Sequence, residues 1–206
     1  MRMQRKIYVT GILAVAVLTG PATLRAGLPT DHVRQTADQV LRVLQDPGLK
    51  APEKRQERRQ QIRSIIGNRF DFEEMAKRSL GSHWQKRSRE EQQQFVELFS
   101  ELLERSYANQ IESYDGEKIL YGRETVSRDQ AEVDTKIVTK KGEEISVNYR
   151  LRGAGTDWKV YDVVIENISL VNNYRSQFNR ILANGSFADL LNKLRARSGD
   201  VKPVKG

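Results

Sequence analysis

Asp162 and Glu166 lie four residues apart in the stretch DWKVYDVVIENISLVNNYRSQF, residues 157–178. On an extended chain that spacing puts both carboxylates on one face, where a pair can divide acid and base roles if a cavity pushes their pKa values apart. Arg150, Arg152 and Lys159 offer the plainer alternative, a set of structural ion pairs with neighbouring strands. Little else in the chain assembles chemistry. There is no cysteine, and no GxSxG, phosphate loop or HExxH occurs. Gly153-Ala154-Gly155 lacks the third glycine and the strand-to-helix setting of a dinucleotide site. His32 and His83 have no metal-spaced partner close in sequence. The expectation is no catalytic residue, no metal and no cofactor, with an enzyme built on Asp162 or Glu166 in an apolar cavity as the alternative.

The same stretch is apolar on both sides of an extended chain. Trp158, Val160 and Val164 alternate along one face, and Tyr161, Val163 and Ile165 along the other. Three further runs of period two precede it, near 118–127, 131–140 and 143–152, with the fourth at 157–166. Links of two to four residues between them favour an antiparallel meander. The second and third runs are one-sided: Val133 and Ile137 oppose Glu132, Asp134 and Lys136, while Ile145, Val147, Tyr149 and Leu151 oppose Glu144, Ser146, Asn148 and Arg150. The fourth run is not, so something must cover its second face.

Helical periods flank the meander. Thr30 or Asp31 can cap a first helix with Val33, Ala37, Val40, Leu41 and Leu44 on its apolar side. Pro52 suits the first turn of a second, which buries Ile62, Ile65 and Ile66 and stops at Gly67-Asn68. A short helix from 71 to 80 follows. Ser88 and Glu91 then form a capping box for the longest helix, 89 to about 113, whose stripe is Phe95, Leu98, Phe99, Leu102, Leu103, Tyr107 and Ile111. After the meander, Ser169 caps a helix carrying Tyr174 and Phe178, and Ser186 with Asp189 caps a last one through Arg197. Helices, a meander and helices again define an α+β fold: a four-stranded antiparallel sheet packed against several helices.

The first residues, MRMQRKIYVTGILAVAVLTGPATLRAG, run from charged to apolar to small, the order of a cleaved export signal, and residues 1–26 are assigned to it. Removing them takes away Arg2, Arg5, Lys6 and Arg25 and no acid. The 35 basic residues fall to 31 against 27 acidic, and the charge drops from +8 to +4. The remaining basic run, Lys50 to Arg63, is interleaved with Glu53 and Glu57 and reads most simply as a solvated helix face, with contact to anionic lipid or an acidic partner as the alternative. The aromatic residues follow core periods instead of sitting beside basic ones on a strand face, so nucleic acid is not an expected partner. Residues 27–197 are read as one domain and 198–206 as a flexible tail.

FDFEEMAKRSLGSHW (70–84), QQQFVELFSELLERSYANQIESY (92–114) and above all DWKVYDVVIENISLVNNYRSQF resemble the MlaC, or toluene-tolerance, family. The likeness runs from about 31 to 197. Its most specific part is the Trp-x-Val-Tyr-Asp-Val run at 158–163 with Ser169-Leu170, Tyr174-Arg175 and Phe178. Asn167 departs from it, standing where the family usually has glycine. The resemblance implies a strongly twisted sheet that encloses an apolar lipid cavity with its helices. It also implies a periplasmic carrier of phospholipid between an outer-membrane lipoprotein–porin complex and an inner-membrane ABC transporter bearing a ring of lipid-binding subunits, with no cofactor and no catalysis.

A cavity for acyl chains needs uncharged walls. The candidates are Phe95, Phe99, Leu102 and Ile111 on the long helix; Ile137, Val147, Tyr149 and Leu151 on the sheet; Val163 and Ile165 on the fourth strand; and Tyr174 and Phe178 on the following helix. Lys86, Arg87 and Arg89, beside Trp84, are candidates for contact with an acidic partner or membrane phosphate. An exported adaptor with a closed core is the other alternative.

Overall fold

The computed structural model describes residues 28–196 and Pro203; the assigned export signal and almost all of the tail lie outside the described residues. Helix α1 (Pro29–Gln45) has no side-chain cap of its own. The expected cap at Thr30 or Asp31 is replaced by one from across the fold, because the Glu124 carboxylate accepts from the Thr30 N–H at 2.7 Å. Helix α2 (Arg55–Arg69) begins after a 3-10 turn at Pro52–Lys54 and runs through Gly67-Asn68, past the expected stop. What ends it is docking onto the sheet, where Phe70 bridges Val160 and the Asp71 N–H donates to the Val160 carbonyl at 2.8 Å. Then come α3 (Phe72–Leu80), a 3-10 turn carrying His83, and α4 (Arg89–Glu112), whose Ser88–Glu91 capping box forms as its sequence requires.

The meander forms β1 (Lys118–Ser127), β2 (Gln130–Val138), β3 (Glu144–Ala154) and β4 (Asp157–Ile165). A fifth strand absent from the sequence reading, β5 (Ile168–Ser169), pairs with the end of β4. All neighbours are antiparallel, in the order β1-β2-β3-β4-β5. The β4–β5 turn places Glu166 and Asn167 both at positive φ (47° and 65°), so Asn167 fills its unusual position in the left-handed region that asparagine tolerates. Chain direction then passes to α5 (Leu170–Asn184), with the Ser169 hydroxyl accepting from the Asn172 N–H, and to α6 (Phe187–Arg195).

The two-sided greasiness of β4 has a local cause that alternation alone does not reveal. Arg150 pairs with Asp162 but Leu151 with Val160, so Tyr161 is an extra residue, a bulge that reverses the phase of the strand. Trp158, Val160, Val163 and Ile165 consequently share one face, and the apolar face expected to hold Trp158, Val160 and Val164 does not exist. The other face carries Tyr161, Asp162 and Val164 against α3 and α5. Arg78 of α3 lies 4.2 Å above the Tyr161 ring.

Asp162 and Glu166 therefore do not form a pair. Glu166 is exposed in the turn and accepts from the Ser146 N–H, whereas Asp162 is buried and accepts from the Ser169 hydroxyl (2.6 Å), the Val171 N–H (3.1 Å) and Arg150 (3.2 Å). Its carboxylate fastens the first turn of α5 to β4. Asp162→Ala leaves the Val171 N–H and the Arg150 charge without that partner and should lower stability by about 3 kcal/mol. Urea denaturation measures it; a loss under about 1 kcal/mol would mean α5 is anchored elsewhere.

Candidate functional site

Cross-strand register lays the apolar residues in rows across one sheet face. Ile119, Ile137 and Ile145 form the first row; Tyr121, Thr135, Val147 and Ile165 the second; Val133, Tyr149 and Val163 the third; Ala131, Leu151 and Val160 the fourth. Thr135 does not break the pattern, because its hydroxyl donates to the Val147 carbonyl and leaves the methyl for the face. Val33 of α1 and Leu170 of α5 pack on this face and help bury Ala131, Val133, Leu151, Trp158, Val160 and Val163. Towards the end of the sheet bearing the first two rows, cover is incomplete. Ile137, Ile145, Tyr121 and Ile165 keep part of their surface, as does Tyr149. Burial, with a smaller contribution from neighbouring Tyr121, pushes the Tyr149 phenol up to about 12.

The lining candidates fall into two apolar clusters. Ile137, Val147, Tyr149, Leu151, Val163 and Ile165 belong to the sheet face. Phe95, Phe99, Leu102, Tyr174 and Phe178 belong to an all-helical core with α3 and α6, where Phe95, Phe99, Tyr174 and Phe178 contact one another with ring centres 5.4–5.8 Å apart. Ile111 is half-buried on the last turn of α4. Phe70 and Tyr107 pack against both clusters and mark the seam where they meet. Neither is among the lining residues that the sequence predicts. Tyr107 was visible as a member of the α4 stripe, but Phe70 follows the end of a helix, where periodicity carries no signal.

An open hollow of about 540 Å³ lies on the other face of the sheet. Arg78, Arg123, Asp134, Arg150, Asp162 and Arg175 are among its walls; Arg150 pairs with Asp162 and Glu132, Arg123 with Asp134 and Arg78 with Glu74, while Arg175 donates to the Arg78 carbonyl. Such walls suit polar groups and water, not acyl chains. Of the other candidate contacts, Arg87 is tied into the fold by the Phe187 ring (4.9 Å) and Glu91 (3.6 Å), leaving Lys86 and Arg89 exposed.

The basic run that leads into α2 is only in part the solvated face that its alternation suggests: Lys50, Lys54, Arg55 and Arg63 are exposed, Arg58 and Arg59 part-buried. Arg55, Arg58 and Arg59 converge on Glu112 at the end of α4, at 3.1, 3.3 and 2.7 Å. Hydrogen bonds from Arg59 and then Arg55 outweigh burial and hold the Glu112 carboxyl down at about 2. No spacing rule could announce a partner 53 residues away from Arg59. Among the described residues, no group of three or more His, Cys, Asp or Glu could hold a metal ion, and no helix is long and apolar enough to cross a membrane.

Comparison with known proteins adds four likenesses. A family model described as MlaC protein matches residues 34–196. The chain is 23% identical over 143 residues to the intermembrane phospholipid transport system binding protein MlaC of Haemophilus influenzae, covering 65% of this chain and 67% of that protein. It is 24% identical over 198 residues to the toluene tolerance protein ttg2D of Pseudomonas putida, covering 95% and 91%. A solved phospholipid-binding protein from Ralstonia solanacearum, in complex with a phospholipid, superposes with a TM-score of 0.74 at 26% identity, covering 81% of this chain and 94% of that one.

The Glu112 cluster has a pH signature. Because the folded carboxyl sits at about 2 instead of 4.5, its contribution is complete above pH 4.5 and is lost as pH falls towards 2. Glu112→Gln should cost about 2 kcal/mol at neutral pH and flatten that acid limb. Denaturant titrations across the window measure both; parallel limbs for the two proteins would contradict the assignment.

Proposed function

The chain belongs to the MlaC family, and from that membership we propose that it is a periplasmic carrier of phospholipid. After loss of residues 1–26, residues 27–197 act as one lipid-binding unit. It takes lipid between an outer-membrane lipoprotein–porin complex and an inner-membrane ABC transporter with a ring of lipid-binding subunits, and so serves outer-membrane lipid asymmetry. The observation that carries this reading is the patch of partly uncovered apolar residues, Tyr121, Ile137, Ile145, Tyr149 and Ile165, on a face continuous with the helical core through Phe70 and Tyr107. A phospholipid-bound relative with the same architecture supports it.

Acyl chains enter by parting sheet from helices along the Phe70–Tyr107 seam. Two chains with about thirty methylenes represent on the order of 25 kcal/mol relative to water. The protein has only to match the bilayer, since the chains are dry at both ends of the route. Residues from both clusters then line the chains: Phe95, Phe99, Leu102, Ile111, Tyr174 and Phe178 from the helices, and Ile137, Val147, Tyr149, Leu151, Val163 and Ile165 from the sheet. Lys86 and Arg89 are exposed charges open to partners. No cofactor or reaction is needed, and Asp162 is occupied in holding α5.

Native mass spectrometry of protein purified without detergent should find bound phospholipid. Ile137→Glu and Ile165→Glu, at positions already part-exposed, should keep the fold and cut occupancy at least about tenfold, because a buried carboxylate is costly beside acyl chains. A folded, empty wild-type protein would instead favour the adaptor with a closed core.

A further inference from the structure

Burial of acyl chains gives no role to the arginine stripe of α2. Arg55, Arg59 and Arg63 stand four apart and share one helical face. Opposite them on α4 stand Glu104, Asn109 and Glu112. The contacts run antiparallel: Arg63 with Glu104, Arg59 with Asn109 (2.9 Å) and Glu112 (2.7 Å), Arg55 with Asn109 (3.2 Å) and Glu112 (3.1 Å). Arg58 is different. It is only 15% exposed, donates to the Leu49 carbonyl and reaches Glu112 from within, so it is structural.

Charge in this comb does not balance. Four guanidiniums face two carboxylates, and the two oxygens of Glu112 serve three of the four. In the hollow across the sheet, by contrast, Arg150 and Arg123 have their own carboxylates. The C-terminus of α4 adds about half a negative charge, which an excess of two positive charges outweighs. Arg55 and Arg63 are 55% and 62% exposed, so they keep donors in solvent. Guanidinium forks suit phosphate, which they hold through paired N–H donors. Tyr107 and Ile111 occupy the adjoining face of the same α4 turns, and Phe70 directly follows α2, so the comb flanks the seam where chains are proposed to enter.

Resting on that lipid reading, we propose that Arg55, Arg59 and Arg63 form the subsite for the phosphate of the bound lipid, with Glu112 occupying it when lipid is absent. The phosphate takes Arg55 and Arg59 from Glu112. The last turn of α4 thereby loses ties to α2, and the seam widens while lipid is held. Departure of the lipid returns the carboxylate to its arginines.

Occupancy of the full mature chain, by native mass spectrometry, should be compared for phosphatidylglycerol and for diacylglycerol with the same tails. Arg55→Gln with Arg59→Gln should lower phosphatidylglycerol occupancy about tenfold and leave diacylglycerol unchanged, which also reports an intact fold. Arg180→Gln with Arg195→Gln, the same charge change elsewhere, should alter neither. Unchanged phosphatidylglycerol, or equal loss of both lipids, overturns the subsite. Millimolar inorganic phosphate should leave the preference intact; if it abolishes the preference, the comb is a free-anion site and the assignment to lipid fails. A wild-type protein that takes up neither lipid refutes lipid carriage itself, and the subsite with it.

Discussion

An open sheet with one greasy face has to be covered, and among the described residues the side chains do not cover all of it. Helix α1 and the start of α5 lie over the rows nearest Leu151 and Trp158. The rows holding Ile137, Ile145 and Ile165 remain partly bare, in a chain with only 38% hydrophobic residues and few to leave unburied without purpose. That mismatch between apolar face and helical cover organises the rest of the molecule. The Thr135 hydroxyl on the face is satisfied by the Val147 carbonyl.

The remainder of the fold keeps that face apolar. The bulge at Tyr161 collects Trp158, Val160, Val163 and Ile165 on the one side and turns Asp162 to the other, where it pins α5. Helix α5 is thus fixed to β4, while α4 meets α2 through long polar side chains. An apolar contact between packed helices resists separation along its whole length; a comb of ion pairs exchanges partners when a phosphate is held among its donors. The two apolar clusters touching at Phe70 and Tyr107 give the sheet and the helices a natural line along which to part.

Much of this was legible in the residues. The helix caps at Ser88, Ser169 and Ser186, the long stripe of α4 and the antiparallel meander all follow from spacing and turn chemistry. The features that were not legible are long-range or depend on a single residue. Glu124 caps a helix 94 residues away. Glu112 gathers arginines from α2, and β5 is too short to have a period. A bulge costs one residue of register, which alternation reads as a second apolar face instead of a change of phase. The candidate lining was read as one group, whereas the fold divides it between sheet and helical core; sequence spacing carries no measure of that partition.

The central claim is that acyl chains lie against this particular sheet face. Phospholipid bearing a photoactivatable group near the end of an acyl chain, loaded into the mature protein and mapped by peptide mass spectrometry after irradiation, tests it most directly. Labels should concentrate on Ile137, Tyr149 and Ile165 and on Tyr107 across the seam. Labels confined to Arg123, Glu132 and Arg175 in the polar hollow of the opposite face would contradict it.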